Sequence, residues 1–408
     1  MNLSFRLTGL LFFFCIHFSF SQSGCTDPSA NNYNASAISN DGSCTYDVSV
    51  QPYSARGPLF SFAGESSGLV STNGVLWTHN DSGNASDIFK VDTATGALLQ
   101  KVSITNYPNN DWEDITADSN FIYIGDFGNN NGTRTDLRVL KIDKSQLSST
   151  AAVIGVTAQA INFSYADQTS FSSNGSTNYD CESVISMGNS LYLFTKDRGD
   201  LQTRVYKLSK SPGTYTLSPY TFYNVNGKIT GADYNPQKNE VVLIGYMASN
   251  KNSFIYYLNN FTGDLFFSGN KRRVEIGNAT NDWQTEGIAY RSTNELFISC
   301  ETSYTTASLY TTLKSSMTSV GFNEITGDLN GILIYPNPAT NHIEIKSEGV
   351  INEIKLFDLE GLLVYSQMSG PESFNRSVDL PKKLYSAFYT LQVNTNRGSS
   401  FHKLVISN

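Results

Sequence analysis

Acidic residues recur in this chain at spacings that could bring them together. Asp111-Trp112-Glu113-Asp114-Ile115-Thr116 has variants at Asp180-Cys181-Glu182-Ser183-Val184-Ile185 and at Asp282-Trp283-Gln284-Thr285-Glu286-Gly287-Ile288-Ala289. A second series, Asp81-Ser82-Gly83-Asn84, Asp126-Phe127-Gly128-Asn129 and Asp197-Arg198-Gly199-Asp200, follows an apolar run each time. Glu113, Glu182, Glu286, Asp81, Asp126 and Asp197 offer oxygen ligands only, the donor set that suits Ca²⁺. Lys196, Arg198 and His79 lie in or beside the same loops, with Arg134 and Arg204 just after them. Carboxylates facing bases could hold a metal ion and an anion side by side. The same residues also have an architectural reading. Asp caps turns, Gly takes positive φ, and a strand-end carboxylate accepts backbone N–H groups. His79 is the single histidine outside the two ends of the chain, which excludes a multi-histidine zinc centre between them. A Ser or Cys nucleophile would need His79 as its base, and no Gly-x-Ser-x-Gly elbow presents a serine. Preceding Asn80-Asp81 at a strand end, His79 reads first as a rim residue.

Residues so spaced need elements that gather them. Counting the weaker copies Ser67-Gly68-Leu69-Val70 and Thr230-Gly231-Ala232-Asp233, the signature falls at positions 67, 113, 182, 230 and 286, at intervals of 46, 69, 48 and 56 residues. Those are propeller-blade lengths. Each copy precedes a second apolar run: Val75-Leu76-Trp77, Phe121-Ile122-Tyr123-Ile124, Leu191-Tyr192-Leu193-Phe194, Val241-Val242-Leu243-Ile244 and Leu296-Phe297-Ile298. Hairpins between third and fourth strands are expected at Asp92–Gly96, Lys210–Gly213 and Asn260–Gly263, where Gly and Pro suit tight turns. The expected fold is all-β, with a five-bladed propeller over residues 48–328. Six blades is the alternative, because the 69-residue unit has room for further strands. The last unit is one strand short, and Pro58-Leu59-Phe60-Ser61-Phe62 is expected to complete it and so remove an open sheet edge. In such a ring both carboxylate series open on one face, around the mouth of the central channel. Trp77-Thr78-His79-Asn80-Asp81-Ser82-Gly83, Asp111–Ile115 and Glu286-Gly287-Ile288-Ala289 resemble SdiA-regulated-type and esterase-like phytase-type propellers, a resemblance that implies the fold more than an activity. Cys181 and Cys300, beside Glu182 and Glu301, are either a disulfide across the channel or two buried thiols.

Hydrophobic residues make up 39%, aromatics 12% and charged residues 16% of the 408 residues, a mixture that favours twisted sheet and can bury a core. The net charge is −8, and Lys271-Arg272-Arg273 is the densest basic run, so no nucleic-acid surface is expected. Residues 1–22, with Arg6, the run Leu10–Phe14 and a small polar end, read as a secretory signal peptide. No other run approaches the roughly 20 apolar residues of a membrane span, so no transmembrane segment is expected in the mature chain. Residues 23–47 run from Cys25-Thr26-Asp27 to Asp41-Gly42-Ser43-Cys44 and are similar to short modules of secreted Bacteroidota proteins. In an oxidising compartment Cys25 and Cys44 are expected to pair. Asp27, Asn31, Asn34 and Asp41 suit turns first and Ca²⁺ second.

At about residue 331 the composition changes. Tyr335-Pro336-Asn337-Pro338 precedes short alternating runs at Ile343–Ile345, Ile354–Phe357, Leu362–Tyr365, Thr390–Val393 and Lys403–Ile406, with Asp358-Leu359-Glu360-Gly361 as the central turn. Residues 331–408 resemble the C-terminal sorting domain of the type IX secretion system, a small β-sandwich. Pro336, Asn337, Pro338, Gly361 and Lys403 carry the resemblance, while Ala387 stands where the family usually has Gly. It implies the type IX machinery and its sortase as partners, passage through periplasm and outer membrane, and release or anchoring at the cell surface. The expectation is therefore an exported propeller that binds an unknown extracellular ligand on its acidic face, with Ca²⁺. The alternatives are a metal-dependent hydrolase of phosphoesters, esters or lactones, and an adhesion or matrix protein. Arg198-Gly199-Asp200 spells an adhesion tripeptide but shares its loop position with two other units.

Overall fold

Period-2 alternation along the apolar runs dictates how the strands stack. In Phe121–Asp126, Ile122 and Ile124 face one neighbouring sheet and Tyr123 faces the other. Leu191 and Leu193 likewise oppose Tyr192 and Phe194, and Val241 and Leu243 oppose Val242 and Ile244. A strand apolar on both faces must be covered on both, and Glu240–Tyr246 is buried at every position. The computed structural model describes residues 22–147, 150–247, 252–277, 284–302, 306–319, 332–358, 363–368, 373–381, 384 and 387–406. The expected signal peptide at 1–22 lies, but for its last residue, outside them. Two compact units divide the chain at 319/320.

Besides the short parallel pair Ser23–Gly24 and Ser39–Asn40, the described part of the first unit holds five antiparallel sheets of four strands each, three of them extended at the outer edge. The first sheet comprises Ser66–Thr72, Val75–Asn80, Asp87–Val91 and Leu98–Ile104; the second Trp112–Ala117, Phe121–Asp126, Arg138–Asp143 and Gln159–Tyr165. The third comprises Cys181–Met187, Ser190–Thr195, Gln202–Ser209 and Pro219–Asn224; the fourth Lys228–Asn235, Glu240–Tyr246, Ser253–Asn259 and Asn270–Gly277. Thr285–Tyr290, Glu295–Cys300 and Ser308–Leu313 form the fifth with Tyr53–Pro58. The five first strands contact one another in cyclic order, Thr285–Tyr290 returning to Ser66–Thr72. Apolar clusters fill the intervals between successive sheets. The last packs Leu69, Leu76 and Val91 of the first sheet against Ala289, Phe297 and Leu309 of the fifth. The architecture is all-β and propeller-like.

Two expectations are corrected. The strand completing the fifth sheet is Tyr53–Pro58, paired from Tyr53↔Thr312 to Pro58↔Ser308, and not Pro58–Phe62. Leu59 and Ala63 instead plug the interval between the fifth and first sheets, while Phe62 is 70% exposed. Lys210–Gly213 is not a third-to-fourth hairpin. Gly213–Leu217 crosses to pair in parallel with Gln159–Tyr165 of the second sheet, and Pro219–Asn224 is the fourth strand of its own. The 69-residue unit contributes one sheet, its extra length passing through Val153–Val156, which pairs in parallel with Leu98–Ile104, and through residues 166–180.

Before the first sheet, Cys25 and Cys44 are joined by a disulfide. The module rests on the fourth sheet: Lys271 Nζ donates to Gly42 O (2.8 Å), Asn260 to Thr26 Oγ1 (3.0 Å), and Arg272 lies over the Tyr46 ring. Asp27, Asn34 and Asp41 accept from the backbone N–H two residues on, and Asn31 donates to Asp47, so all four serve local structure.

The second unit packs two sheets on one apolar cluster. Leu333–Tyr335, His342–Lys346 and Asn375–Asp379 make the smaller; Leu363–Met368, Ile351–Phe357, Ala387–Thr395 and Gly398–Ile406 make the larger. Asn375–Asp379 was not expected, because Val378 is its one apolar residue. Asn337 Oδ1 accepts Val405 N–H (2.8 Å), tying the Pro336-Asn337-Pro338 corner to the terminal strand that contains Lys403. Gly361 lies outside the described residues.

Cys25→Ser should lower the unfolding free energy by about 3 kcal/mol, the loop-closure value for a separation of 19 residues. Urea denaturation under non-reducing conditions checks this, and an unchanged midpoint would show that the module adds nothing.

Candidate functional site

Close approach of the five first strands comes first. A Cβ on Gly68 would meet Ile115 N at 2.7 Å and Asp114 Cα at 2.8 Å, and one on Gly287 would meet Leu69 N at 3.0 Å. Glycine at these signature positions lets backbones touch across sheets. Side chains then tie the strands together. Ser67 Oγ donates to Glu113 O (2.7 Å) and Thr230 Oγ1 to Thr285 O (2.8 Å). Asp114 accepts N–H bonds from Ile115 and Val184 (both 2.8 Å), and Asp233 from Tyr234 (2.8 Å) and Tyr290 (2.7 Å). Backbone ties, the architectural role open to the glutamates, thus fall to Asp114 and Asp233.

Glu113, Glu182 and Glu286 remain near the N-terminal ends of their strands, all but fully buried. Glu113 joins Asp81 and Asp111, with one carboxylate oxygen from each lying within 4.8 Å of the others. Glu182 Oε2 is 2.9 Å from Lys196 Nζ and Oε1 is 3.7 Å from Arg198 Nη2. Asp180 Oδ2 accepts Arg198 Nε (2.6 Å) and its Oδ1 accepts Asn129 N–H (2.7 Å). Glu286 Oε2 is buried without a hydrogen-bond partner, and Glu301 Oε2 accepts Gln284 Nε2 (2.9 Å). Asp126 and Asp197 stand apart. Asp126 receives Arg134 Nη2 (3.0 Å) and Arg138 Nε (2.7 Å), and Asp197 is clamped by Arg204. Of the six carboxylates expected at a metal, the tight cluster therefore holds two, Asp81 and Glu113, with Asp111 as the third. Asp111 heads the signature, two residues before Glu113 as Asp180 is before Glu182, and that repetition was the signal for it.

Crowding of like charge shows in the proton affinities. Burial, then the charges of Glu182, Asp81, Asp111 and Asp180, push the Glu113 carboxyl well up. Burial and Asp81 lift Asp111 to about 6 against the pull of Arg134, and burial, Glu286 and Asp81 lift Glu301 to about 8. Burial also raises Glu182 and Glu286, with Lys196 opposing in both. Lys196 itself is 5% exposed; burial disfavours its charge, but Glu182, Tyr246, Glu286 and Asp180 more than offset that.

His79 is not a rim residue. It is completely buried, with Nδ1 3.0 Å from Asn80 O and its ring edge-on to Trp112, and burial pushes it down to about 4, so it is neutral and closed to an anion. Lys196 and Arg198 are counter-ions of Glu182 and Asp180. Cys181 and Cys300 are two separate buried thiols, in the clusters between the second and third and between the fourth and fifth sheets.

Residues 333–407 match the family described as the secretion system C-terminal sorting domain. The chain is thus a type IX secretion cargo, exported to the cell surface or beyond it, with the secretion machinery as its partner. No described helix is long and apolar enough to cross a membrane. No curated protein matches the chain at the sequence level. Among solved structures it aligns with PorZ, a surface component of the type IX system of Porphyromonas gingivalis, at 14% identity and TM-score 0.30, over 84% of this chain and 45% of that one. Zg3597, a family 117 glycoside hydrolase from Zobellia galactanivorans, aligns at 12% identity and TM-score 0.39, over 65% of this chain and 91% of that one. A 6-phosphogluconolactonase-like protein from Bacteroides fragilis aligns at 14% and 0.32, over 77% and 87%. This chain thus spans less than half the length of PorZ.

Asp233 supplies a pH test. Burial lifts it to about 7 against the N–H groups of Tyr290 and Tyr234, from about 4 in an unfolded chain. The folded state prefers the protonated form, so this contribution is full below about pH 4 and is lost as pH rises towards 7. Asp197, raised by burial to about 7, and Glu301 share that sign. His79 has the opposite sign, its contribution lost as pH falls from about 6.5 through about 4. Urea midpoints should fall between about pH 5.5 and about pH 8, less steeply in Asp233→Asn. Identical slopes would remove Asp233 from the account.

Proposed function

We propose that each of the five sheets is one blade of a five-bladed propeller, and that the pole where the first strands begin is its ligand-binding face. Residues 1–22 act as the signal peptide that delivers the chain to the periplasm, and the sorting domain then directs it outward to an extracellular ligand. The observation that carries the binding reading is unmatched acceptor capacity. Asp81, Asp111, Glu113, Glu286 and Glu301 crowd one pole, while the buried Lys196 and the half-buried Arg198 are committed to Glu182 and Asp180. Such a surface selects positively charged ligands, because desolvated carboxylates bind cations more strongly than exposed ones. The hydrolase alternative needed Lys196 or Arg198 free to hold an anion, and both are ion-paired.

Titration of the full chain with spermine, followed by calorimetry, tests the reading. Saturable binding is expected, weakened at about 0.5 M salt and about tenfold weaker in the Glu286→Gln/Glu301→Gln variant. Absent binding, or binding indifferent to both substitutions, would refute an acidic ligand-binding pole.

A further inference from the structure

We infer that Asp81, Asp111 and Glu113 form a site for one hard divalent cation of the Ca²⁺ class, at the edge of the acidic pole between the first and second sheets. This rests on the acidic-pole reading and adds to it a specific ion and three named ligands. The geometry is the first support. Ca²⁺ takes oxygen ligands at about 2.3–2.6 Å, so two oxygens on one ion can be about 5 Å apart, and the three carboxylates come within 4.8 Å of one another. The donor set is oxygen only, and His79, the nearby imidazole, is sealed in the core.

A second observation points to a missing partner. Glu113 is 4% exposed, and its carboxylate accepts no hydrogen bond and forms no ion pair among the described residues. Glu286 Oε2, at the same pole, is buried and equally without a partner. The nearest cation, Arg134, stands 4.0 Å from Asp111 Oδ2 and is engaged with Asp126, Asp136 and Gly128 O. Gly128 leaves room beside the cluster: a Cβ there would collide with Glu113 Oε1 and lie 2.6 Å from Asp111 Oδ2.

Outer residues hold the three ligands in place. Asp126 accepts Asp111 N–H (3.1 Å), Asp111 O accepts the N–H groups of Phe127 and Gly128 (3.1 Å each), and Asn109 Nδ2 donates to Asp81 O (2.8 Å). Asp126, expected as a ligand, is thus a positioning residue, and Arg134 and Arg138 neutralise it so that it can act as one. Three carboxylates supply less than the six to eight oxygens Ca²⁺ prefers, so the remaining positions are open to oxygens of an extracellular ligand.

Calorimetric titration of the chelator-treated full chain with CaCl₂ should show one saturable site per chain, with Kd no weaker than the millimolar range of extracellular Ca²⁺ modules. Asp111→Asn and Glu113→Gln should each weaken it about tenfold or more, and Glu182→Gln should not. Thermal unfolding guards against misfolded variants. Without Ca²⁺, Asp111→Asn should melt no lower than the parent, since it relieves like-charge crowding, and with Ca²⁺ it should lack the parent's upward shift. No saturable Ca²⁺ binding at millimolar concentrations, or equal binding by the parent and Asp111→Asn, overturns the site. If spermine still binds in either case, the acidic pole survives and the ion site alone fails; if neither binds, both fall.

Discussion

Each of the five four-stranded sheets of the first unit is apolar on both faces, and that constraint governs the rest. A sheet with Ile122 and Ile124 on one side and Tyr123 on the other is stable only with a neighbour on each. Five such sheets satisfy one another when the fifth reaches the first, through Phe297, Leu309, Leu69 and Leu76. Stacking also forces the first strands together, which is why glycine stands at Gly68, Gly231 and Gly287 and why the buried carboxylates of Asp114 and Asp233 take up backbone N–H groups across the intervals.

The same convergence concentrates charge. The first strands contact one another in cyclic order, so glutamates at equivalent positions feel one another's charge, Glu182 raising Glu113 and Glu286 raising Glu182. Two solutions coexist there. On the side of the third sheet, Lys196 and Arg198 neutralise Glu182 and Asp180 from within the chain. On the side of the first and second sheets, Asp81, Asp111 and Glu113 have no such internal counter-ion at hydrogen-bonding distance among the described residues.

Much of this was legible in the residues. The signature marked all five first strands, because a strand buried on both faces is a short continuous apolar run with small residues where backbones meet. The disulfide and the sorting domain were legible for local reasons: two cysteines bracketing a polar loop, and the Tyr335-Pro336-Asn337-Pro338 motif. Edge strands were not. Tyr53–Pro58 and Asn375–Asp379 carry few apolar side chains, since one face of each meets solvent, and Gly213–Leu217 joins a sheet other than that of its neighbours in sequence. The candidate site was legible as a set of acidic loops but not as a constellation. Asp126 and Asp197 share a loop motif with Asp81, yet arginines several residues downstream take them away, and a motif does not show where those guanidinium groups reach.

The strand Tyr53–Pro58 has a consequence for biogenesis. It closes the fifth sheet against residues about 250 positions later, Arg56 Nε reaching Thr311 across a separation of 255. Long-range pairing of this kind is slow, and until it happens the strand at Ser308–Leu313 and the apolar face around Leu69 both lie open to other chains. During synthesis the sorting domain emerges only after both partners of that closure exist. Order along the polypeptide therefore has a simple result: a chain truncated before its fifth sheet is complete also lacks the address that would send it out of the cell.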